Sequence, residues 1–478
     1  MRDRSAFFAA CCIAATALSA ILAGCDSSES DARQAYAEYQ AASAAGDLPA
    51  ARIALLQLVN AKDDDPTYWE ELGRVQLQFE DYQGAYYAFT RAQELDRGNV
   101  ATLATLTQLA LLSGNADTAE RHARQLELVA PGHPAVKLAY GYIYLKRQEY
   151  DKADEQADSL LAAFPYEPGA KLLKARILLA RQEPEQAINL LEEQIKVRQD
   201  DAGTLKALVL LYERQNDWHQ VARIASRLRE LNPKDSELAI TVVNAALRSN
   251  DFASARRVSE PLLAPDAPPR QVDAVLKIWA DRWKSPDAIA EAERLASSAG
   301  MGQKLAYATY FNAVGKPEIA SSLVGDMPKL PLNLGNLSVN SVIATSLALK
   351  GDRAQAKRLF DRILEREPDH VYALRGRINL EIATGEAKAA IIDAQRLVSV
   401  EPRSASDRLL LARAFAAAGD SRQVDRTLWN AFHDIEGSFE AYEALRAHVE
   451  RTDGADGVAA VDEEFKQQRD MALAREFI

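Results

Sequence analysis

Residues 66–95 read PTYWEELGRVQLQFEDYQGAYYAFTRAQEL. Apolar and small residues recur here at helical spacing in two blocks, first Trp69, Leu72 and Gly73, then Ala85, Phe89 and Ala92. The polar turn Glu80-Asp81 separates the blocks, and Pro66 suits the first position of a helix. The arrangement returns along the chain. One further unit has Leu103, Leu106, Gly114, Ala119 and Pro131; the next has Tyr140, Gly141, Tyr144, Ala153, Leu160 and Pro165. Tyr212, Ala225, Leu228 and Pro233 keep the register, as do Ala356, Phe360, Ile363 and Pro368, then Ala390, Ala394, Leu397 and Pro402. Pro131 and Pro165 stand 34 residues apart, as do Pro368 and Pro402. A fixed period of that length means one supersecondary unit repeated, each too small to bury its own apolar face.

The W-x2-L-G…A-x3-F-x2-A series resembles the tetratricopeptide repeat, and the resemblance covers nearly all of the chain after residue 31. It implies an all-α solenoid, a right-handed superhelix of about 12–13 helical hairpins. Each hairpin has a helix A and a helix B that meet where the side chains are small. Well-formed units run over 32–235. Residues 236–335 are degenerate, interrupted by Pro265, Pro268 and Pro269, and residues 336–478 form a second regular array.

Composition agrees. The 478 residues include only 22 Gly and 18 Pro, and 7% aromatics, which favours helix over a β-sandwich, a barrel or a Gly-rich nucleotide-binding sheet. Lys and Arg number 57 against 69 Asp and Glu, a formal charge of −12. An acidic chain lacks the positive footprint of a general nucleic-acid binder.

The first 24 residues read as a secretory signal: Arg2 and Arg4 precede an apolar run, Phe7 to Leu22, that is short for a membrane span. The run ends in Leu22-Ala23-Gly24-Cys25, which resembles the bacterial lipobox. That resemblance implies cleavage before Cys25, acylation of its thiol, and a short polar tether over 25–31. Cys11 and Cys12 fall inside the removed segment, so no disulfide or thiol site is expected in the mature chain. The tether is acidic, so acyl chains rather than a basic patch would hold the protein to the membrane. Asp26 after the lipidated position resembles an inner-membrane retention signal; inner and outer membrane both remain open.

No GxSxG, HExxH, GxxxxGK[ST] or CxxC occurs. The six histidines (122, 133, 219, 370, 433, 448) show no ligand spacing, and Asp63-Asp64-Asp65 reads as a helix cap. The chain is therefore expected to be non-catalytic, without cofactor or metal. In tetratricopeptide proteins the concave wall is lined mainly by helix A, including its fifth and ninth positions. The ninth positions here are Arg74, Gln108, Tyr142 and Arg176 in the first array. In the second array, Arg375 and Asn379 occupy positions five and nine, and Arg413 is the ninth of the next unit. The latter trio resembles, incompletely, the carboxylate clamps of chaperone-binding relatives. Arginines and a tyrosine suit an acidic or C-terminal peptide. The resulting expectation is a lipid-anchored, periplasm-facing scaffold that binds protein partners in an envelope assembly or export machine: exopolysaccharide, pilus or secretion, or outer-membrane biogenesis. Alternatives are an adaptor for envelope enzymes such as peptidoglycan hydrolases, and a carbohydrate-binding module using Trp218, Trp279, Trp283 or Trp429.

Overall fold

The computed structural model describes residues 28–325, 331–435 and 437–476. The expected signal segment, Cys25 and Asp26 lie outside them. The described residues are helical hairpins throughout, with no strand among them. Ser28 to Asp31, read as the end of a tether, form the first turn of α1 (28–45), where acidic side chains favour the helix N-terminus.

Two compact units divide the chain between Glu183 and Pro184. The first holds α1 with α2 (Leu48–Ala61), α3 (Pro66–Gln78) with α4 (Tyr82–Leu95), α5 (Val100–Leu112) with α6 (Ala116–Val129), α7 (Pro134–Lys146) with α8 (Tyr150–Ala163), and α9 (Pro168–Ala180). The second opens with α10 (Pro184–Val197), followed by eight hairpins. These are α11 (Ala202–Arg214) with α12 (Trp218–Leu231), α13 (Ser236–Arg248) with α14 (Phe252–Leu262), and α15 (Pro269–Arg282) with α16 (Pro286–Ser298). Then come α17 (Met301–Ala313) with α18 (Pro317–Leu323), α19 (Leu337–Leu349) with α20 (Arg353–Arg366), and α21 (Val371–Thr384) with α22 (Ala387–Val400). The series ends with α23 (Ala405–Ala417) and α24 (Ser421–Asp434), then α25 (Phe439–Thr452) and α26 (Gly454–Glu476). Through 236–335 the second helices are cut short: α14 has 11 residues and contains Pro261, and α18 has 7, against 14 in α12 and α20. A proline cannot donate its backbone hydrogen bond, which accounts for the early stop of α14.

The repeat is written into the backbone at the turn between the two helices of each hairpin. Gly46, Glu80, Gly114, Gln148, Gln182, Asn216 and Asn250 all have positive φ, each 34 residues after the last, and Gly351, Gly385 and Gly419 continue the spacing later. At the first full unit, Glu80 N–H donates to Leu77 O at 3.0 Å and Asp81 N–H to Gln76 O at 3.0 Å. That double closure ends a helix with one left-handed residue. The next residue then caps the following helix: the Asp81 carboxylate accepts from Gly84 N–H at 2.9 Å and that of Asp217 from Gln220 N–H at 3.1 Å. Asp65 caps α3 in the same way, accepting from Thr67 N–H at 3.0 Å, so the Asp63–Asp65 run is resolved as a cap.

First helices of successive hairpins pack side by side within each unit, α5 on α7 and α7 on α9, then α13 through α25 by alternate helices. Their apolar stripes make the core. In the first unit Leu55, Leu58, Trp69, Leu72, Val75 and Ala92 form one cluster, and Ala153, Ala157, Leu173 and Ile177 another. In the second, Phe360 is fully buried beside Ile363, Leu374, Ile378 and Leu397. Close approach there depends on the absence of a side chain at Gly376, where an added Cβ would stand 2.4 Å from Phe360 Cζ and 3.0 Å from Thr345 Oγ1. Gly73 makes room for Phe89 in the same manner. We expect Gly376→Ala to destabilise the second unit by about 1–3 kcal/mol, the usual cost of overpacking a dense core. Urea denaturation against the wild-type chain measures it; an unchanged midpoint would show that Phe360 can yield.

Candidate partner-binding surfaces

In the first unit, the exposed face of the first helices carries a ladder of polar contacts. Tyr39 O–H donates to Glu71 Oε2 at 2.9 Å. Arg74 pairs with Glu71 and, through Nη2, with Glu70 Oε2 at 3.0 Å. Glu70 Oε1 in turn accepts from Asn99 Nδ2 at 2.6 Å and from Thr102 Oγ1 at 3.0 Å on the neighbouring hairpin. Arg74 is half exposed, but its charge is already shared by two carboxylates of its own helix. Gln108 on α5 is exposed. Tyr142 and Arg176, one repeat apart, do come together: the Arg176 guanidinium lies 4.7 Å from the Tyr142 ring centroid. Both are half-buried. Desolvation pulls the Arg176 guanidinium below its ordinary range and pushes the Tyr142 hydroxyl up, leaving the pair a cation set in a low-dielectric wall. On the other side of this unit, Leu56, Val59, Asn60, Asp63, Trp69, Tyr87 and Arg91 line an open cleft. Tyr87 is exposed there, edge-on to Trp69 at 5.9 Å.

In the second unit the three clamp positions have different fates. The Arg375 fork is occupied: Nε and Nη2 donate to the two Asp407 oxygens at 2.6 and 2.7 Å, and Asp407 is buried. That hydrogen-bonded carboxylate holds the Arg375 guanidinium above its usual range, against the opposing effect of burial. Asn379 spends its amide N–H on the Arg375 carbonyl, 2.8 Å away on the same helix. Arg413 is exposed. The chain thus supplies internally the carboxylate that Arg375 was expected to take from a ligand. Asp407 was missed in the sequence, although its place is legible: it follows Arg375 by 32 residues, as Thr102 follows Glu70 and Glu71 follows Tyr39. Neighbouring first helices run parallel one repeat apart, and their crossing brings i and i+32 together.

Arg377, two residues on, faces inward. It donates to Asp393 at 2.6 and 2.9 Å and to Asp361 at 2.8 Å, while Glu381 stands 3.8 Å away, buried. Burial, and then the charge of Asp393, lifts the Glu381 carboxyl to about 7. The tryptophans are largely consumed by packing. Trp279 is fully buried with its Nε1 on Ser259 Oγ at 3.1 Å, Trp283 is buried against it at 4.6 Å, and Trp429 stacks on His433 at 5.5 Å. Among the described residues no cluster of His, Cys, Asp and Glu could hold a metal ion, and no helix is long and apolar enough to cross a membrane.

Two outcomes follow from this geometry. Arg375→Ala leaves Asp407 buried without its cation and should cost about 2–4 kcal/mol of stability, whereas Arg413→Ala on the open face should cost less than about 0.5 kcal/mol. Equal losses in thermal unfolding would mean that the Arg375–Asp407 pair carries no weight. Glu381 keeps its proton in the folded chain up to about 7, but in the unfolded chain only to its ordinary 4.5. Its contribution is therefore complete below that ordinary value and is lost as pH rises through about 7. Glu381→Gln should gain on the wild type by on the order of 1–3 kcal/mol between about pH 5 and pH 8. Parallel urea midpoints across that range would place the proton elsewhere.

A tetratricopeptide-repeat family model matches residues 342–407, and a model of the N-terminal tetratricopeptide repeats region of Psidin matches residues 137–263. No curated protein sequence matches the chain. Among solved structures, PilW, described as a widely conserved type IV pilus biogenesis factor, is 14% identical, with a TM-score of 0.33 over 41% of this chain and 91% of its own. Yeast Tom70 is 11% identical, with a TM-score of 0.31 over 94% of this chain and 96% of its own. Naa15/Naa10 bound to HypK-THB is 14% identical, with a TM-score of 0.32 over 90% and 73%. The 34-residue spacing of the turns, the paired helices and the two matching family models converge: the chain is a tetratricopeptide-repeat protein, of the class of helical scaffolds for protein–protein contact.

Proposed function

We propose that the protein is a non-catalytic scaffold, lipid-anchored through Cys25 and facing the periplasm, that holds protein partners in a bacterial envelope assembly or export machine. The anchor rests on the sequence Leu22-Ala23-Gly24-Cys25 behind a basic and then apolar segment. One observation carries the binding role. Among the basic groove positions of the first unit, Arg176 is the one held against an aromatic ring rather than by carboxylates of its own helix. A desolvated cation beside a tyrosine is the kind of anchor that pairs with an acidic or C-terminal peptide group. Arg413 offers a second, exposed cation in the other unit. Exopolysaccharide, pilus or secretion, and outer-membrane biogenesis systems are the settings in which such an anchored scaffold would work. A glycan-binding platform is weakened by the burial of Trp279 and Trp283.

In-cell photo-crosslinking from positions 142 and 413, read by mass spectrometry, tests the assignment. Capture of one or two envelope proteins, lost when Arg176 is changed to Glu, is the expected result; no adduct from either position at normal expression would sink it. For the anchor, Cys25→Ser should abolish palmitate labelling and release the chain from the membrane fraction. Retained labelling would put the lipid elsewhere or nowhere.

A further inference from the structure

The last hairpin of the second unit does more than end the array. Helix α26 packs on α11, some 200 residues earlier, and α25 meets the turns that close three successive hairpins. Trp218 begins α12, Arg248 ends α13 and Arg282 ends α15. The Phe439 ring meets Trp218 edge-on at 4.8 Å. Arg248 lies between the two rings, 4.5 Å from one centroid and 5.0 Å from the other. Glu443, one helical turn after Phe439, accepts from Arg248 Nη1 at 3.1 Å and from Arg282 Nη2 at 2.7 Å. From α26, Arg469 covers the other side of Phe439 at 4.2 Å and stands 3.9 Å from Glu213.

We infer that this rim, Trp218 with Arg248 and Arg282, is a docking site for a helix that presents an aromatic ring and a carboxylate one turn apart. In this structure α25 itself fills the site. Three features support a releasable contact. It is small and polar, and Glu443 stays 44% exposed within it, so water competes for its ion pairs. The hairpin does not depend on it for a core: Phe432, Leu445, Val449, Val461 and Phe465 cluster with Ala412 and Leu428 of the preceding hairpin. The rim also concentrates positive charge, since the neighbouring Arg282 adds to burial in lowering the Arg248 guanidinium. Two arginines pressed together need a carboxylate between them, whether from α25 or from another chain. The ligand chemistry is therefore Phe, Tyr or Trp followed four residues later by Glu, on a helix. A partner helix at the rim and the closed state of the second unit are mutually exclusive. The latch works whether or not Cys25 carries lipid.

The test uses the full chain and a labelled peptide of residues 437–453. Wild type should bind the peptide at least tenfold more weakly than Glu443→Arg, in which the resident helix is repelled. Adding Trp218→Ala and Arg248→Glu to that variant should abolish binding, as should moving the phenylalanine out of register in the peptide. Hydrogen exchange should rise in Glu443→Arg at residues 217–223, with the core of α23 and α24 still protected. If Glu443→Arg does not fold, Arg282→Glu breaks the same contact from the rim side. Equal peptide affinity in wild type and the opened variant, insensitivity to Trp218 and Arg248, or unchanged exchange at 217–223 would overturn the inference.

Discussion

A two-helix hairpin exposes an apolar stripe that its own partner cannot cover, and everything else in this molecule follows from the need to cover it. Ala85, Ala88, Phe89 and Ala92 of α4 lie against α3, while Leu72, Val75 and Trp69 still need neighbours. Stacking supplies those neighbours only if each hairpin leaves the last at the same angle. The left-handed residue between its helices sets the reversal within each hairpin, and an Asp or Asn cap fixes where the second helix starts. Glu80 and Gln148 adopt that conformation despite the steric cost of about 1–2 kcal/mol for an L side chain. The burial gained by continuing the stack outweighs it.

The same stacking decides what the exposed face can bind. Parallel first helices one repeat apart bring residue i against i+32, and the chain uses that coincidence for its own hydrogen bonds: Tyr39 to Glu71, Glu70 to Thr102, Arg375 to Asp407. Basic side chains that look available on a helical wheel are thereby neutralised from the next repeat. What remains open to a partner is narrower than the list of groove residues. It comprises the desolvated Arg176–Tyr142 pair, the exposed Gln108 and Arg413, and the rim where Arg248 and Arg282 share one glutamate. Selectivity then lies in which arginines lack an internal carboxylate, more than in how many there are.

Much of this was legible before any coordinates. Period 34, the small residues at Gly73 and Ala85, and the Asp caps all report local or nearest-neighbour geometry, which a repeat prints many times over. The count of about 12–13 hairpins came from the same signal. Asp407 was within reach too, since one repeat less two residues is arithmetic on the chain. The loss of register across 236–335 was visible as prolines, but its form, second helices of 11 and 7 residues, depends on how neighbouring hairpins close over the gap. The latch was not legible at all. Trp218 and Phe439 are separated by more than six repeats, and nothing local distinguishes either from an ordinary helix-opening aromatic.

By itself, then, the order of residues determined the unit: two helices, their caps, the turn, the apolar faces and the requirement that units stack. These depend on interactions reaching a few residues or one repeat, so pattern suffices. Tertiary structure decided which charges are spent and which ends of the second unit meet. Small angles between hairpins add up over eight of them before α25 reaches Trp218 and α26 reaches α11. That sum belongs to the folded backbone, and no single stretch of sequence carries it.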